Sequence, residues 1–389
     1  MRIAMFAWES LHSIPVGGVA VHVTELAAGL ERRGHEVHAF VRLGEGQLTY
    51  ERIDGVHYHR CPIPLHSDFV TEMNEMGNRF VYFMAQTEAY QGARFDIVHG
   101  HDWLCAKGIV EAKNDRGSRT VLTFHSTEYG RCGNAFPGGQ AERIRNVEAE
   151  VACVADRVIV VSPALANEVK WLYCVPDQKL RVVRNGIDCS RFDGGIDPAV
   201  CRKSYGIGPL DPMVLFVGRM CTQKGPDLLL EAVPGILEHR PDAKIVFVGD
   251  GYMRASLERR ARELGVAHAV RFPGAMAGNG DLVNLFKSTD VVCMPSRNEP
   301  FGISVLEAWA AGKPVVATNQ GGPSELVEHG VNGFLVYDNP PSICWGINTI
   351  FGNFAHARWM GERGRVKAAY GFSWNAISGQ TEGIYRELL

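Results

Sequence analysis

Residues 3–41 read IAMFAWESLHSIPVGGVAVHVTELAAGLERRGHEVHAFV, and the order of patterns inside them decides the fold. Ile3 to Trp8 is a short apolar run of strand length. A loop through Pro15, Gly17 and Gly18 follows it. Val19, Val23, Leu26, Ala27 and Leu30 then recur at helical spacing until Gly34 stops the helix. Val37 to Val41 is the next strand. Strand, loop, helix and strand in that order make a βαβ unit, which builds a parallel sheet with its ligand loops at the carboxyl ends of the strands.

Working outward, Ile97 to Val98, Thr120 to Phe124 and Val158 to Val161 read as further buried strands with helical stretches between them. The pattern restarts after a Gly, Asp and Pro-rich stretch from Gly194 to Pro212. Val214 to Val217, Ile245 to Val248, Val291 to Met294 and Pro314 to Ala317 form a second strand series, each followed by a Gly-containing turn and a helical pattern. The expected architecture is therefore α/β with two doubly wound, Rossmann-like domains. Their expected bounds are 1–190 and 191–370, with 371–389 a C-terminal segment. The region between Asn185 and Pro212 is the expected hinge, and two lobes imply a cleft. A length of 389 residues fits two cores better than one.

Composition excludes several classes. Forty Lys and Arg against 43 Asp and Glu give a net charge of -3, so there is no general attraction to nucleic acid or anionic membrane, and any anion site is local. The ten cysteines contain no CxxC, and their closest spacing is Cys189 to Cys201, which reads as reduced thiols and not a disulfide framework. No stretch approaches the roughly 18 uncharged apolar residues of a membrane span. Met1 to Trp8 is too short for a signal peptide, and a cytoplasmic location is expected. Phe69, Met73, Met76, Phe80, Phe83 and Met84 form a stripe at helical spacing, but Asp68, Glu72 and Glu75 beside it argue for core packing or a groove wall over membrane docking.

Three segments suit an anionic ligand. Pro15-Val16-Gly17-Gly18 lies between the first strand and helix, where amides and the helix terminus favour an anion. The same pair also serves a tight turn that needs glycine. A single GG pair and Arg42 at the end of the second strand argue against a dinucleotide site. Gly218-Arg219-Met220-Cys221-Thr222-Gln223-Lys224-Gly225 follows the strand that opens the second half, and its two cations suit a diphosphate. No Ser or Thr follows the lysine, as a Walker A loop and its magnesium would require. In Glu299-Pro300-Phe301-Gly302-Ile303-Ser304-Val305-Leu306-Glu307 a helix begins near Gly302. Its free amides can meet phosphate oxygens, while two carboxylates flank them as hydroxyl acceptors.

Glu299 and Glu307 enclosing Phe301-Gly302, with Gly218-Arg219, Lys224-Gly225, Gly249-Asp250-Gly251 and Asn185-Gly186-Ile187-Asp188, resemble family 4 retaining glycosyltransferases of the GT-B fold over nearly the whole chain. The resemblance implies two facing Rossmann-like domains and transfer of a hexosyl group from a UDP-, ADP- or GDP-linked sugar to a sugar, glucan or other hydroxyl acceptor. It implies that Arg219 and Lys224 hold the diphosphate, with Gly17 and Gly18 supplying the opposite lobe's backbone. Glu299 and the backbone of Phe301, Gly302 and Ile303 would bind the sugar, and Glu307 the ribose. In Thr123-Phe124-His125-Ser126, His125 matches the family's cleft histidine and would touch a sugar hydroxyl. The segment from Phe372 to Tyr385 is implied to return to the first domain. Base recognition is expected of the backbone near Phe272 to Met276.

His99-Gly100-His101-Asp102-Trp103 resembles the HDW of glycogen and starch synthases, but Pro15 and Val16 replace the lysine those enzymes carry before the glycine pair. Asp102 is an expected acceptor contact. A metal reading of the two histidines is set aside, on the grounds that strand alternation separates them and no further ligands cluster nearby. No metal and no cofactor besides the nucleotide-sugar substrate is expected. Rival readings are a non-catalytic nucleotide-sugar binder and a sugar-nucleotide epimerase or phosphorylase on the same architecture.

Overall fold

A computed structural model describes residues 1–276 and 280–389, which divide into two compact units. The first comprises Met1–Tyr129, Ala135–Gly186 and Trp374–Leu389; the second comprises Gly130–Asn134 and Ile187–Ser373.

In the first unit the strands are β1 (Arg2–Phe6), β2 (Glu36–Arg42), β3 (Tyr50–Ile53), β4 (Val56–Cys61), β5 (Ile97–His101), β6 (Thr120–Phe124), β7 (Arg157–Val160) and β8 (Leu180–Val182). They form one sheet in the order β3-β4-β2-β1-β5-β6-β7-β8. Every pairing is parallel except β3 with β4. That hairpin turns at Asp54-Gly55, both with positive φ, as a two-residue hairpin turn of the primed type requires. All residues of β5 and β6 are buried, as strands covered by helices on both faces must be.

The helix Gly18–Arg32 lies between β1 and β2 and buries Val23, Leu26, Ala27 and Leu30. The apolar stripe predicted from Phe69 belongs to the helix Phe69–Gln91. It is capped by Asp68, whose carboxylate accepts from the Val70 and Thr71 amides. Met73, Met76, Phe80 and Met84 are buried, so this stripe is core. The last helix, Trp374–Arg386, packs on Gly18–Arg32, and Trp374, Ile377, Ile384 and Tyr385 complete the first unit's core. Gly186 is the seat for this helix: a Cβ there would lie 2.6 Å from the Trp374 ring. Burying each such apolar side chain contributes about 1.5–3 kcal/mol.

The second unit holds β9 (Met213–Val217), β10 (Lys244–Val248), β11 (Val270–Gly274), β12 (Val291–Met294), β13 (Val315–Thr318) and β14 (Gly333–Val336). The order is β11-β10-β9-β12-β13-β14 and all pairings are parallel. Its core combines the strand residues Val214, Phe216, Ile245 and Phe247 with Leu229, Val233 and Ile236 of the helix Pro226–His239. Both sheets reverse their winding direction beside the strand that opens them, β1 against β5 and β9 against β12. Doubly wound sheets bind ligands at the carboxyl ends of such neighbouring strands. No helix among the described residues is long and apolar enough to cross a membrane.

Candidate active site

In the second unit the loops that leave β9 and β12 are fastened together. The Arg297 and Asn298 amides donate to the carbonyl of buried Gln223 at 2.9 and 3.4 Å. The Arg297 guanidinium donates to the Thr222 carbonyl and forms a forked pair with Asp227. This frame brings Lys224 Nζ to 2.7 Å from Glu299 Oε2, which also accepts from Ser296 Oγ at 3.1 Å. Glu299 is buried and Lys224 is partly exposed. Arg219, on the same loop as Lys224, is exposed, and its Nη2 donates to Gln223 Oε1 at 3.3 Å.

The Gly249-Asp250-Gly251 turn after β10 supports the Arg219 loop from below. Met220 N–H donates to the Asp250 carbonyl, and Gly218 N–H to that of Val248. Gly249 has φ +134, and a Cβ there would lie 2.0 Å from the Gly218 carbonyl oxygen, so only glycine fits.

Beyond Glu299 the chain enters the helix Ile303–Ala310, with Gly302 at its N-cap in a left-handed conformation. No side chain caps this end, so its leading amides are suited to an external acceptor. Phe301 is buried, 6.2 Å from the Phe372 ring. The Gly322 amide donates to the Glu299 carbonyl at 2.7 Å and holds the loop from its far side. Glu307 lies in the second turn of the helix. Burial raises its carboxyl to about 7, against the opposing pull of the Arg191 guanidinium. Phe272 to Met276 runs from β11 past its end, and the Phe272 carbonyl accepts from Arg254 Nη2.

In the first unit the Gly17 amide, expected to face a ligand, donates instead to Glu9 Oε2 at 2.6 Å, and the Val16 amide donates to the same oxygen at 2.9 Å. The chain's own carboxylate thus serves as the anion at this turn. Burial raises the Glu9 carboxyl, and the two amides oppose that shift. Gly18 begins the helix.

His125 follows β6, and its amide donates to Asp102 Oδ1 at 2.7 Å. Asp102 itself is 7% exposed and stands at φ 57, ψ 175, a conformation almost confined to glycine and worth about 1–3 kcal/mol of strain. Its amide donates to the Thr123 carbonyl. The residue expected to meet an acceptor therefore fixes the backbone of His125. Around it gather His22, His101 and His125, with ring centroids 4.5–5.4 Å apart. Burial holds the His22 and His101 imidazoles well below their usual range, and that of His125 down to about 3.

The expectation that His99 and His101 point apart and find no further ligands is corrected here. Residues two apart on a strand share a face, and these rings are 4.4 Å apart. Fully buried His99 is satisfied by Tyr385 and Thr123, at 2.6 and 2.7 Å. His101, by contrast, joins His22 and His125 in a group able to hold a metal ion. Sequence reading missed His22 because it sits inside an apolar helical pattern. It missed Gln223, Ser296 and Gly322 because their contributions are backbone contacts and a buried hydroxyl. The Asp-Gly dipeptide at 54–55 was an available hairpin signal.

Comparison with known proteins assigns both halves. Residues 16–191 match the family described as Glycosyltransferase Family 4, and residues 200–367 match Glycosyl transferases group 1. An uncharacterized glycosyltransferase of Methanocaldococcus jannaschii is 38% identical, covering 99% of this chain and 98% of its own. The D-inositol 3-phosphate glycosyltransferase of Actinosynnema mirum is 32% identical over 97% of both chains. The sucrose-phosphate synthase of Thermosynechococcus elongatus shares the fold with a TM-score of 0.84, at 24% identity over 100% of this chain and 98% of its own.

Proposed function

We infer, since the chain belongs to glycosyltransferase family 4, that it moves a hexosyl group from a nucleotide-diphosphate sugar to a hydroxyl acceptor with retention of anomeric configuration. The observation that carries the reading is the loop pair of the second unit. Lys224 and Glu299 are joined at 2.7 Å beside a helix N-terminus without a side-chain cap, at the switch point of a doubly wound sheet. Lys224, Arg219 and the leading amides of Ile303–Ala310 receive the charge that grows on the departing diphosphate. Such prearranged donors take the place of a catalytic metal ion.

Glu299, joined to Lys224, accepts a hydroxyl of the transferred sugar, and the backbone of Phe301, Gly302 and Ile303 lines the sugar and phosphate. Glu307 accepts from the ribose. Gly18 supplies an amide to the diphosphate, while Gly17 acts through Glu9 as a fixed turn. His125, held neutral, contacts a sugar hydroxyl, and Asp102 positions it through the backbone. The acceptor is a sugar, glucan or other small hydroxyl compound. The ten free thiols suit a reducing cytoplasm.

The test is to incubate the chain with UDP-, ADP- and GDP-hexoses, with and without a panel of sugar acceptors, following nucleoside diphosphate release and the anomeric proton signal of the product. Acceptor-dependent release with the donor's anomeric configuration retained is expected. Donors that raise the melting temperature without any release would point to a binding protein. A new sugar nucleotide formed without acceptor would point to an epimerase.

A further inference from the structure

His22 comes from the second turn of the helix Gly18–Arg32, His101 from the end of β5 and His125 from the residue after β6. Each can offer a ring nitrogen such that the three lie within 4.8 Å of one another. We propose that these imidazoles form a binding site for a transition-metal dication of the zinc class, and that filling it silences the enzyme.

Three features favour a metal. His22 Nδ1 is 2.7 Å from Asn185 Oδ1, a carbonyl oxygen that can only accept, so Nδ1 carries the proton and Nε2 presents its lone pair. Metal-ligating histidines are oriented by this kind of outer contact. That Nε2 is buried without a hydrogen-bond partner, a costly state for a buried polar atom unless a ligand meets it. His101 Nδ1 and His125 Nε2 are 3.1 Å apart, close to the roughly 3.3 Å edge spanned by two nitrogens each about 2.0–2.1 Å from a tetrahedral ion.

Closing the full triangle around an ion asks His22 to approach by on the order of 1 Å. Imidazole nitrogens suit zinc, copper and nickel, and three protein ligands leave a fourth position open. An ordered water could meet the same nitrogens, and a metal titration separates the two.

Silencing rests on the role proposed for His125: an ion on its Nε2 withdraws that nitrogen from any sugar hydroxyl. Binding rests on geometry alone. Chelator-treated full-length chain is titrated with Zn2+ against a chromophoric chelator, and with Co2+ while its visible d–d bands are followed. One equivalent at micromolar affinity is expected, with bands typical of low coordination number. H22Q and the less buried H125Q should each weaken binding at least tenfold, roughly the lower bound for disturbing a metal's surroundings, while H239Q, at an exposed histidine of the second unit, leaves it unchanged. Absence of stoichiometric Zn2+ or Co2+ binding by folded chain overturns the proposal. So does equal binding by wild type, H22Q and H125Q, each shown folded by circular dichroism. Zn2+ should inhibit turnover and chelation restore it; binding without inhibition overturns the silencing and, with it, the reading of His125.

Discussion

Lys224 Nζ and Glu299 Oε2 stand 2.7 Å apart and join two loops separated by 75 residues of sequence. The cation proposed for a diphosphate and the carboxylate proposed for a sugar thus pair with each other in the free chain. Their loss should therefore be coupled. K224A is expected to lower kcat on the order of a hundredfold, the usual effect of removing one prearranged donor, and E299Q to lower it as well. The double variant should lose less than the product of the two, with a coupling of about 0.5–3 kcal/mol. Steady-state kinetics on the four proteins decides this, and strictly multiplicative losses would show that the pair does not act as a unit.

Glu307 carries a pH signature. Its carboxyl is raised from 4.5 to about 7 in the folded chain, by burial first. A raised carboxyl binds its proton more tightly when folded. Its contribution to stability is thus fully present below pH 4.5 and disappears as pH rises through about 7. E307Q keeps the shape and removes the titration. Melting temperatures of the two proteins between pH 4.5 and 8 should diverge, with wild type losing stability relative to the variant as pH rises. Parallel curves would place Glu307 in a more solvated setting. Donor affinity should strengthen in wild type as the carboxyl ionises and becomes acceptor-only, and stay flat in E307Q.

Gly249 makes a backbone prediction. A side chain there meets the Gly218 carbonyl oxygen at 2.0 Å and forces an L-residue to φ +134. G249A should cost about 1–3 kcal/mol and loosen the Arg219 loop. Calorimetric melting and isothermal titration with nucleoside diphosphates would read the two effects. A variant as stable as wild type, with unchanged affinity, would show that the Asp250 turn does not support that loop.

Much of this was written in hydrophobic periodicity. The runs at 3–8, 37–41, 120–124, 214–217, 245–248 and 291–294 each contain or overlap a strand, because buried parallel strands leave little else for a sequence to be. The β3–β4 hairpin escaped notice, since its exposed edge strand Tyr50–Ile53 has no apolar run. Lys224 and Glu299 could be singled out by motif, but not their pairing, which depends on Gln223 carbonyl contacts that any side chain at 297 and 298 would permit. In the sequence Glu9 is a single acidic residue directly after the apolar run that ends at Trp8. Its occupation of the Val16 and Gly17 amides follows from loop geometry, which composition does not encode. For His99 and His101 the pattern was available, and two-residue periodicity alone puts them on one face.

The last helix has a consequence for synthesis. Trp374, Ile377 and Tyr385 belong to the core of a unit whose residues outside Trp374–Leu389 all precede position 187. On a ribosome the first sheet emerges with its Gly18–Arg32 face uncovered, and it must wait while the entire second unit is translated and folds as a unit of its own. Emergence of Trp374–Leu389 is then what lets the first half finish its core. A nascent chain stalled before Trp374 would display an apolar surface that residues 374–389 later cover.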